Sequence, residues 1–234
     1  MKIQTNQYRI TKGQTLIEVP HKDSILTFVY EKYGLDTYAN VAESIDKEGL
    51  ARPTMAETAS LVHPAFTSEK EEPEFKDIKQ TMKSNWLWAF TGNLYIPNKG
   101  VYIQDNPEIR NKMPYMEESE LVRKLESKDE SVRFVPFGYQ TESMYPRELA
   151  KNEYIKALAG EEEAEKLAEV ADKHKNKPYI WSFKSVEQPL TRVSALNSSW
   201  GLDLRLVVDG YSRGYIRGGF AFGVQKAGEA SRKK

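Results

Sequence analysis

Hydrophobic residues recur along this chain with two different periods, and the changes of period mark its elements. Tyr8-Arg9-Ile10-Thr11 and Thr15-Leu16-Ile17-Glu18-Val19 alternate about Lys12-Gly13-Gln14, which predicts a β-hairpin. Asp23 and Ser24 stand where they can cap a helix carrying Ile25, Leu26, Phe28, Val29 and Tyr33, stopped by Gly34. A second helix is expected from Tyr38 to Glu48, ending at Gly49. Pro53 and Thr54 open a third. Thr54-Met55-Ala56-Glu57 is a capping-box pattern, in which hydroxyl and carboxylate each satisfy an orphan backbone N–H. That helix is expected to end before Pro64, and the charged stretch from Thr67 to Asp77 to be an exposed loop.

Short apolar runs follow. Trp86 to Phe90 and Leu94 to Ile96 bracket Thr91-Gly92-Asn93, and Val101-Tyr102-Ile103 follows the turn Pro97-Asn98-Lys99-Gly100. Glu117 to Glu126 predicts a surface helix and Val132 to Phe137 a strand. Between Arg147 and Lys173 the spacing is helical, with Gly160 splitting it in two. Tyr179 to Phe183, Leu190 to Leu196, Leu204 to Val208 and Phe220 to Gln225 are the last strand candidates. Helices dominate the front, strands the back, and no long linker intervenes. Residues 1–234 are therefore read as one α+β domain.

Within the run from Val193 to Val224, Val193, Leu196, Leu204, Leu206, Val208, Phe222 and Val224 form a regular apolar frame expected to be sheet core. Between them lie Tyr211-Ser212-Arg213-Gly214 and Tyr215-Ile216-Arg217-Gly218, small and aromatic residues each running into Arg-Gly. Trp86, Trp88, Tyr95, Trp181 and Phe183 read as core. Tyr211, Tyr215 and Phe220, set among Gly, Ser and Arg, have the composition of a paratope, where Tyr supplies contact area at low entropic cost. The expectation is a binding face, not a catalytic site.

Composition narrows the chemistry. The 39% hydrophobic content suits a globular domain that buries a core, and thirteen Tyr and four Trp favour contact surfaces as well. Thirty-four basic and thirty-four acidic residues cancel, which argues against a nucleic-acid protein relying on bulk charge. The absence of cysteine removes disulfides, thiolate metal sites and cysteine nucleophiles. No apolar run is long enough for a membrane span or a signal region, so a soluble protein without membrane insertion is expected.

His21, His63 and His174 are the only histidines, and none stands at helical ligand spacing from another. A metal site would need all three to converge, and surface or core roles are the reading taken. No Walker loop, dinucleotide fingerprint or Gly-x-Ser-x-Gly elbow is present. Glu161-Glu162-Glu163 reads as a solvated, dipole-complementing helix start. Arg205, Arg213 and Arg217 admit anion or nucleic-acid contact through guanidinium forks, or ties to Asp203, Asp209 and backbone carbonyls; on a neutral chain the structural role is preferred.

Some of these residues resemble a known family. Gly49-Leu50-Ala51-Arg52-Pro53-Thr54-Met55-Ala56-Glu57 is similar to a helix start of formylglycine-generating-enzyme-like proteins, which have a C-type lectin fold. Ser199-Trp200-Gly201-Leu202-Asp203-Leu204-Arg205 and Phe220-Ala221-Phe222-Gly223-Val224 resemble two of their C-terminal segments. Within that superfamily the chain most resembles the variable proteins of diversity-generating retroelements, as an archaeal or viral member. The resemblance implies a C-type lectin fold, helices packed around short antiparallel β-sheets, with a variable ligand-display region at about 193–224. It further implies a non-enzymatic binder of an unknown protein or cell-surface ligand, without cofactor, metal or nucleic acid, held at a virion or cell surface through a partner.

Such families copy a template with errors at adenines, so an AAC codon becomes Tyr, Ser, Ile, Phe, Leu, Asp or Gly. Gly201, Leu202, Asp203, Tyr211, Ser212, Tyr215, Ile216 and Phe220 all belong to that set and are the implied display residues. Trp200 does not belong to it and is assigned to the scaffold. Alternation with Leu204, Leu206 and Val208 would instead put Leu202 on a core face. The enzymes of this superfamily depend on cysteines or a histidine cluster that the chain lacks. A metal-dependent oxidoreductase, or another enzyme on the same scaffold, is the alternative carried forward.

Overall fold

The computed structural model describes residues 8–11, 16–198 and 204–226. Strands β1 (Arg9–Thr11) and β2 (Leu16–His21) form the expected hairpin, with Arg9 opposite Glu18. The helix expected after Asp23 is instead strand β3 (Ser24–Val29), followed by β4 (Tyr33–Asp36). A two-residue turn joins β2 to β3, with His21 opposite Ser24 and Lys22 at a φ of 50°. The Ser24 hydroxyl closes this turn by donating to His21 O, so it caps no helix. Ile25, Thr27 and Val29 are β-branched, and a strand partner already in place makes the extended form the better use of them.

Helix α1 (Tyr38–Lys47) starts on Thr37, whose hydroxyl accepts from Asn40 N, and runs out before Gly49 at a φ of +73°. Helix α2 (Met55–Thr67) opens with both arms of the capping box: Glu57 N donates to Thr54 Oγ1 and Thr54 N to Glu57 Oε2. It does not stop at Pro64. That residue is buried inside the helix, and Ser68 N donates to Pro64 O beyond it. Burial of Leu61, Val62 and Ala65 around the break offsets the missing backbone bond. The expected loop from Thr67 to Asp77 contains the start of α3 (Pro73–Ser84), which has Pro at its first turn and buries Phe75, Ile78 and Met82 at i, i+3 and i+7.

Strand β5 (Trp86–Ile96) is continuous, where two strands about a turn were expected. Thr91-Gly92-Asn93 sits where the pairing slips: in β12 (Leu190–Asn197), Val193 faces Gly92 but Ser194 faces Ala89. The freed backbone is used, since Phe90 N donates to Pro53 O and Phe90 O accepts from Asn106 N. Along the chain follow β6 (Gly100–Asp105), β7 (Ile109–Arg110), β8 (Met113–Pro114), α4 (Glu118–Glu126), β9 (Val132–Pro136) and β10 (Glu142–Ser143). Then come α5 (Pro146–Leu149), α6 (Glu153–Ala159), α7 (Glu161–Asp172) and β11 (Tyr179–Trp181). After β12, the chain closes with β13 (Val207–Ser212) and β14 (Gly219–Ala221).

The main sheet has the order β10-β11-β13-β12-β5-β14-β4, with β6 on β5 and β9 on β6. It is mixed and not the short antiparallel sheet expected, because β11–β13 and β14–β5 are parallel. One large apolar cluster joins this sheet to α2, α3, α6 and α7. A second packs Tyr38, Val41 and Ile45 of α1 on Trp88, Phe90 and Val193. Helix at 32% and strand at 33% in several sheets make the class α+β. Among the described residues no helix is long and apolar enough to cross a membrane.

Candidate functional site

The apolar frame between Val193 and Val224 is buried except at one position. Val193, Leu196, Leu206, Val208, Phe222 and Val224 are all buried. Leu204 departs from it, being 43% exposed with a φ of 35°. The strand starts only at Val207, where Tyr179 N donating to Leu206 O opens the parallel pairing with β11; ahead of it Leu204 O accepts from Asn176 N. Trp200, Gly201, Leu202 and Asp203 lie outside the described residues.

Beneath β13 lies a buried hydroxyl network. Tyr95 Oη donates to Gly210 O at 2.8 Å and lies 2.9 Å from Ser182 Oγ. Tyr154 Oη donates to Asn93 Oδ1, and Asn93 Nδ2 donates to Ser194 Oγ. Glycine at 210 leaves room for the Tyr154 hydroxyl, which a Cβ there would overlap. Asp209 adds a buried carboxyl whose Oδ1 accepts from Tyr211 N at 2.6 Å, while Oδ2 has no hydrogen-bond partner. Burial pushes its pKa up to about 7.

Above this support the side chains turn outward. Tyr211 is 39% exposed; its ring lies 4.5 Å from Phe183 and 6.2 Å, edge-on, from Trp181. Trp181, read above as core, is 47% exposed, because β11 has only the two-residue β10 beyond it. Trp181, Phe183 and Tyr211 form one wall of a cleft of about 490 Å³, which Thr141, Ser182 and a Lys184–Glu142 ion pair also line. The Arg192 guanidinium lies 5.6 Å from the Phe183 ring centre and 5.9 Å from that of Tyr211. Arg192 carried no signal in the sequence. Its place depends on which β12 residue falls opposite the end of β13.

The next segment forms an arch between two backbone anchors. Tyr38 N donates to Gly214 O and Trp86 N to Gly218 O. Between them Tyr215 is 57% and Ile216 49% exposed. Arg213 Nη1 donates to Tyr215 Oη at 2.9 Å, and Arg217 Nε lies 3.6 Å from Asp36 Oδ1. Arg205 stacks on Tyr179, at 5.8 Å. Ser212 does not belong to the outward set: it is buried, and its Oγ accepts from Gly214 N. Phe220 is half-buried beneath Lys32 on β14, three strands from β13. At the usual strand spacing that separates it from Tyr211 by about 14 Å. Tyr211 and Tyr215 thus share a face that Phe220 does not.

The three histidines contact different residues. His21 Nδ1 lies 2.9 Å from Ser60 Oγ and 3.1 Å from Glu163 Oε1; His63 Nε2 lies 2.7 Å from Glu169; His174 bridges Val170 O and Ser198. His21, Ser60 and Glu163 are not a relay, because one imidazole nitrogen faces both partners. Burial would raise the Glu163 pKa, but the His21 and Lys166 contacts outweigh it and hold the carboxyl below its ordinary value. No group of three metal-ligating side chains occurs among the described residues. Comparison with known proteins finds no match to any family model, curated sequence or solved structure.

Proposed function

We propose that this chain is a non-enzymatic ligand- or receptor-binding protein, a retroelement-diversified variable protein whose C-terminal region presents changeable side chains on a fixed C-type lectin scaffold. The observation that carries this reading is the contrast within one segment. Val193, Leu206, Phe222 and Val224 are buried, whereas Tyr211, Tyr215 and Ile216 between them stand out at 39%, 57% and 49% exposure. A backbone pinned at Gly210, Gly214 and Gly218 lowers the ordering cost of binding, so side chains can change the target without changing the frame. The sequence resemblance to formylglycine-generating-enzyme-like proteins supports the fold assignment.

Within this reading Tyr211 and Tyr215 are aromatic anchors, Ile216 adds apolar relief, and Ser212 shapes the turn from inside. Gly201, Leu202, Asp203 and Phe220 complete the proposed variable set. The partner is a protein or cell-surface ligand, and the protein reaches a virion or cell surface through that partner. The test is sequencing of the DNA flanking the gene. A near-copy of the segment encoding residues 193–224, differing only where the copy has adenine and accompanied by a reverse transcriptase gene, is the expected result. Flanking DNA without such a copy overturns retroelement diversification.

A further inference from the structure

Arg192 and Arg213 are the next residues in antiparallel register past the Val193–Ser212 pair, so two guanidinium-bearing side chains fall opposite each other at the end of the β12–β13 ladder. Like charges in that position repel at the distance of a cross-strand pair. No ion pair is found for either arginine among the described residues, whereas nearby Lys184 pairs with Glu142 and Arg217 with Asp36. Few of their donors are engaged. Arg192 Nη1 donates to Thr191 O, Arg213 Nη1 to Tyr215 Oη, and Arg192 Nε has no partner. Partial burial, and then the neighbouring Arg213, lower the Arg192 pKa, the mark of a charge without a counter-ion. Phe183 and Tyr211 hold the Arg192 guanidinium from one side, and Tyr215 holds that of Arg213.

We infer that Arg192 and Arg213, framed by Tyr211 and Tyr215, form a recognition site for carboxylate side chains on an acidic peptide segment of the partner. The inference rests on the display reading for the statement that this face meets a partner. Planar guanidinium forks match carboxylates in bidentate geometry, and a carboxylate between the two arginines removes their repulsion. The exposed faces of Tyr211 and Tyr215 supply contact area for the residues beside that carboxylate, as aromatic groups do at interface hot spots. A nucleic-acid backbone is a poor fit, because two cations on a chain with zero formal net charge give no track for successive phosphates.

The test is titration of the full-length ¹⁵N-labelled protein with the capped tripeptide Glu-Tyr-Glu, its neutral analogue Gln-Tyr-Gln, and inorganic phosphate, following the Arg192 and Arg213 Nε–Hε resonances. The acidic peptide is expected to shift both resonances saturably and to bind about tenfold or more tightly than the neutral one, as a pair of charge-assisted hydrogen bonds requires. Arg192→Gln and Arg213→Gln should each remove that preference; Arg213, exposed at the strand end, is the variant least coupled to folding. Equal affinity for the two peptides, absence of saturable shifts, or a preference that survives both substitutions overturns the inference. Phosphate binding as tight as the acidic peptide overturns it in favour of a simple anion site. A carboxylate preference with no template copy in the flanking DNA would sink retroelement diversification alone. A template copy with no carboxylate preference would sink this inference alone.

Discussion

The Asp209 carboxyl is buried at the centre of the main sheet, with one oxygen on the Tyr211 amide and the other unbonded. Its folded-state pKa of about 7 lies above the ordinary 3.8, so between those values the folded chain holds a proton that the unfolded chain has released. For this group, stability is greatest below about pH 4 and falls as pH rises to about 7, by up to roughly 4 kcal/mol. Asp209→Asn keeps an oxygen for the Tyr211 amide and removes the titration. Urea unfolding should therefore show the variant gaining on the wild type between pH 5 and pH 8; a difference constant across that window would mean no buried charge is relieved. Nothing local announces this carboxyl. Asp209 follows Val207-Val208 and precedes Gly210, a context equally suited to a surface turn, and only the flanking strands β11 and β12 enclose it. Arg192 is hidden for the same reason, as its environment comes from residues nine before and twenty-one after it in the chain (Phe183 and Arg213).

Among the elements, β13 and α6 approach each other closely at Gly210. Gly210 leaves room for the Tyr154 hydroxyl, and Gly210→Ala should cost about 1–3 kcal/mol through overpacking. Placing it in a Tyr154→Phe background should recover part of that loss, measurable as a coupling energy in a double-mutant unfolding cycle; strictly additive effects would show that the two residues do not share the space. Elements with strong local signals were legible: the hairpin of β1 and β2, the capping box of α2, and the break at Gly160 between α6 and α7. Those decided by burial elsewhere were not. Pro64 reads as a stop, yet packing on both sides carries α2 through it. The Ser24–Val29 segment has helix-compatible apolar spacing, but pairing with β2 makes it a strand. Thr91-Gly92-Asn93 looks like a turn and acts as a slip in register within one strand.

For the molecule as a whole, the display surface and the stable core share the same C-terminal segment but rely on different residues in it. Tyr211→Ala with Tyr215→Ala removes exposed rings from an intact frame and should lower the unfolding free energy by less than about 2 kcal/mol in total, with the far-ultraviolet circular dichroism unchanged. A loss of several kcal/mol would place the two tyrosines in the core and remove the basis of the display reading. The sequence by itself determined the α+β class, the alternation that buries Val193, Leu196, Leu206, Val208, Phe222 and Val224, and the outward aromatic character of Tyr211 and Tyr215. These follow from period and composition, which act over a few residues at a time. Tertiary structure alone decided that Ser212 turns inward, that Trp181 comes to the surface, that Phe220 lies three strands from Tyr211, and that Arg192 meets Arg213. Each of those outcomes is set by strand order and register, and register depends on pairings between segments distant in sequence, which no local pattern encodes.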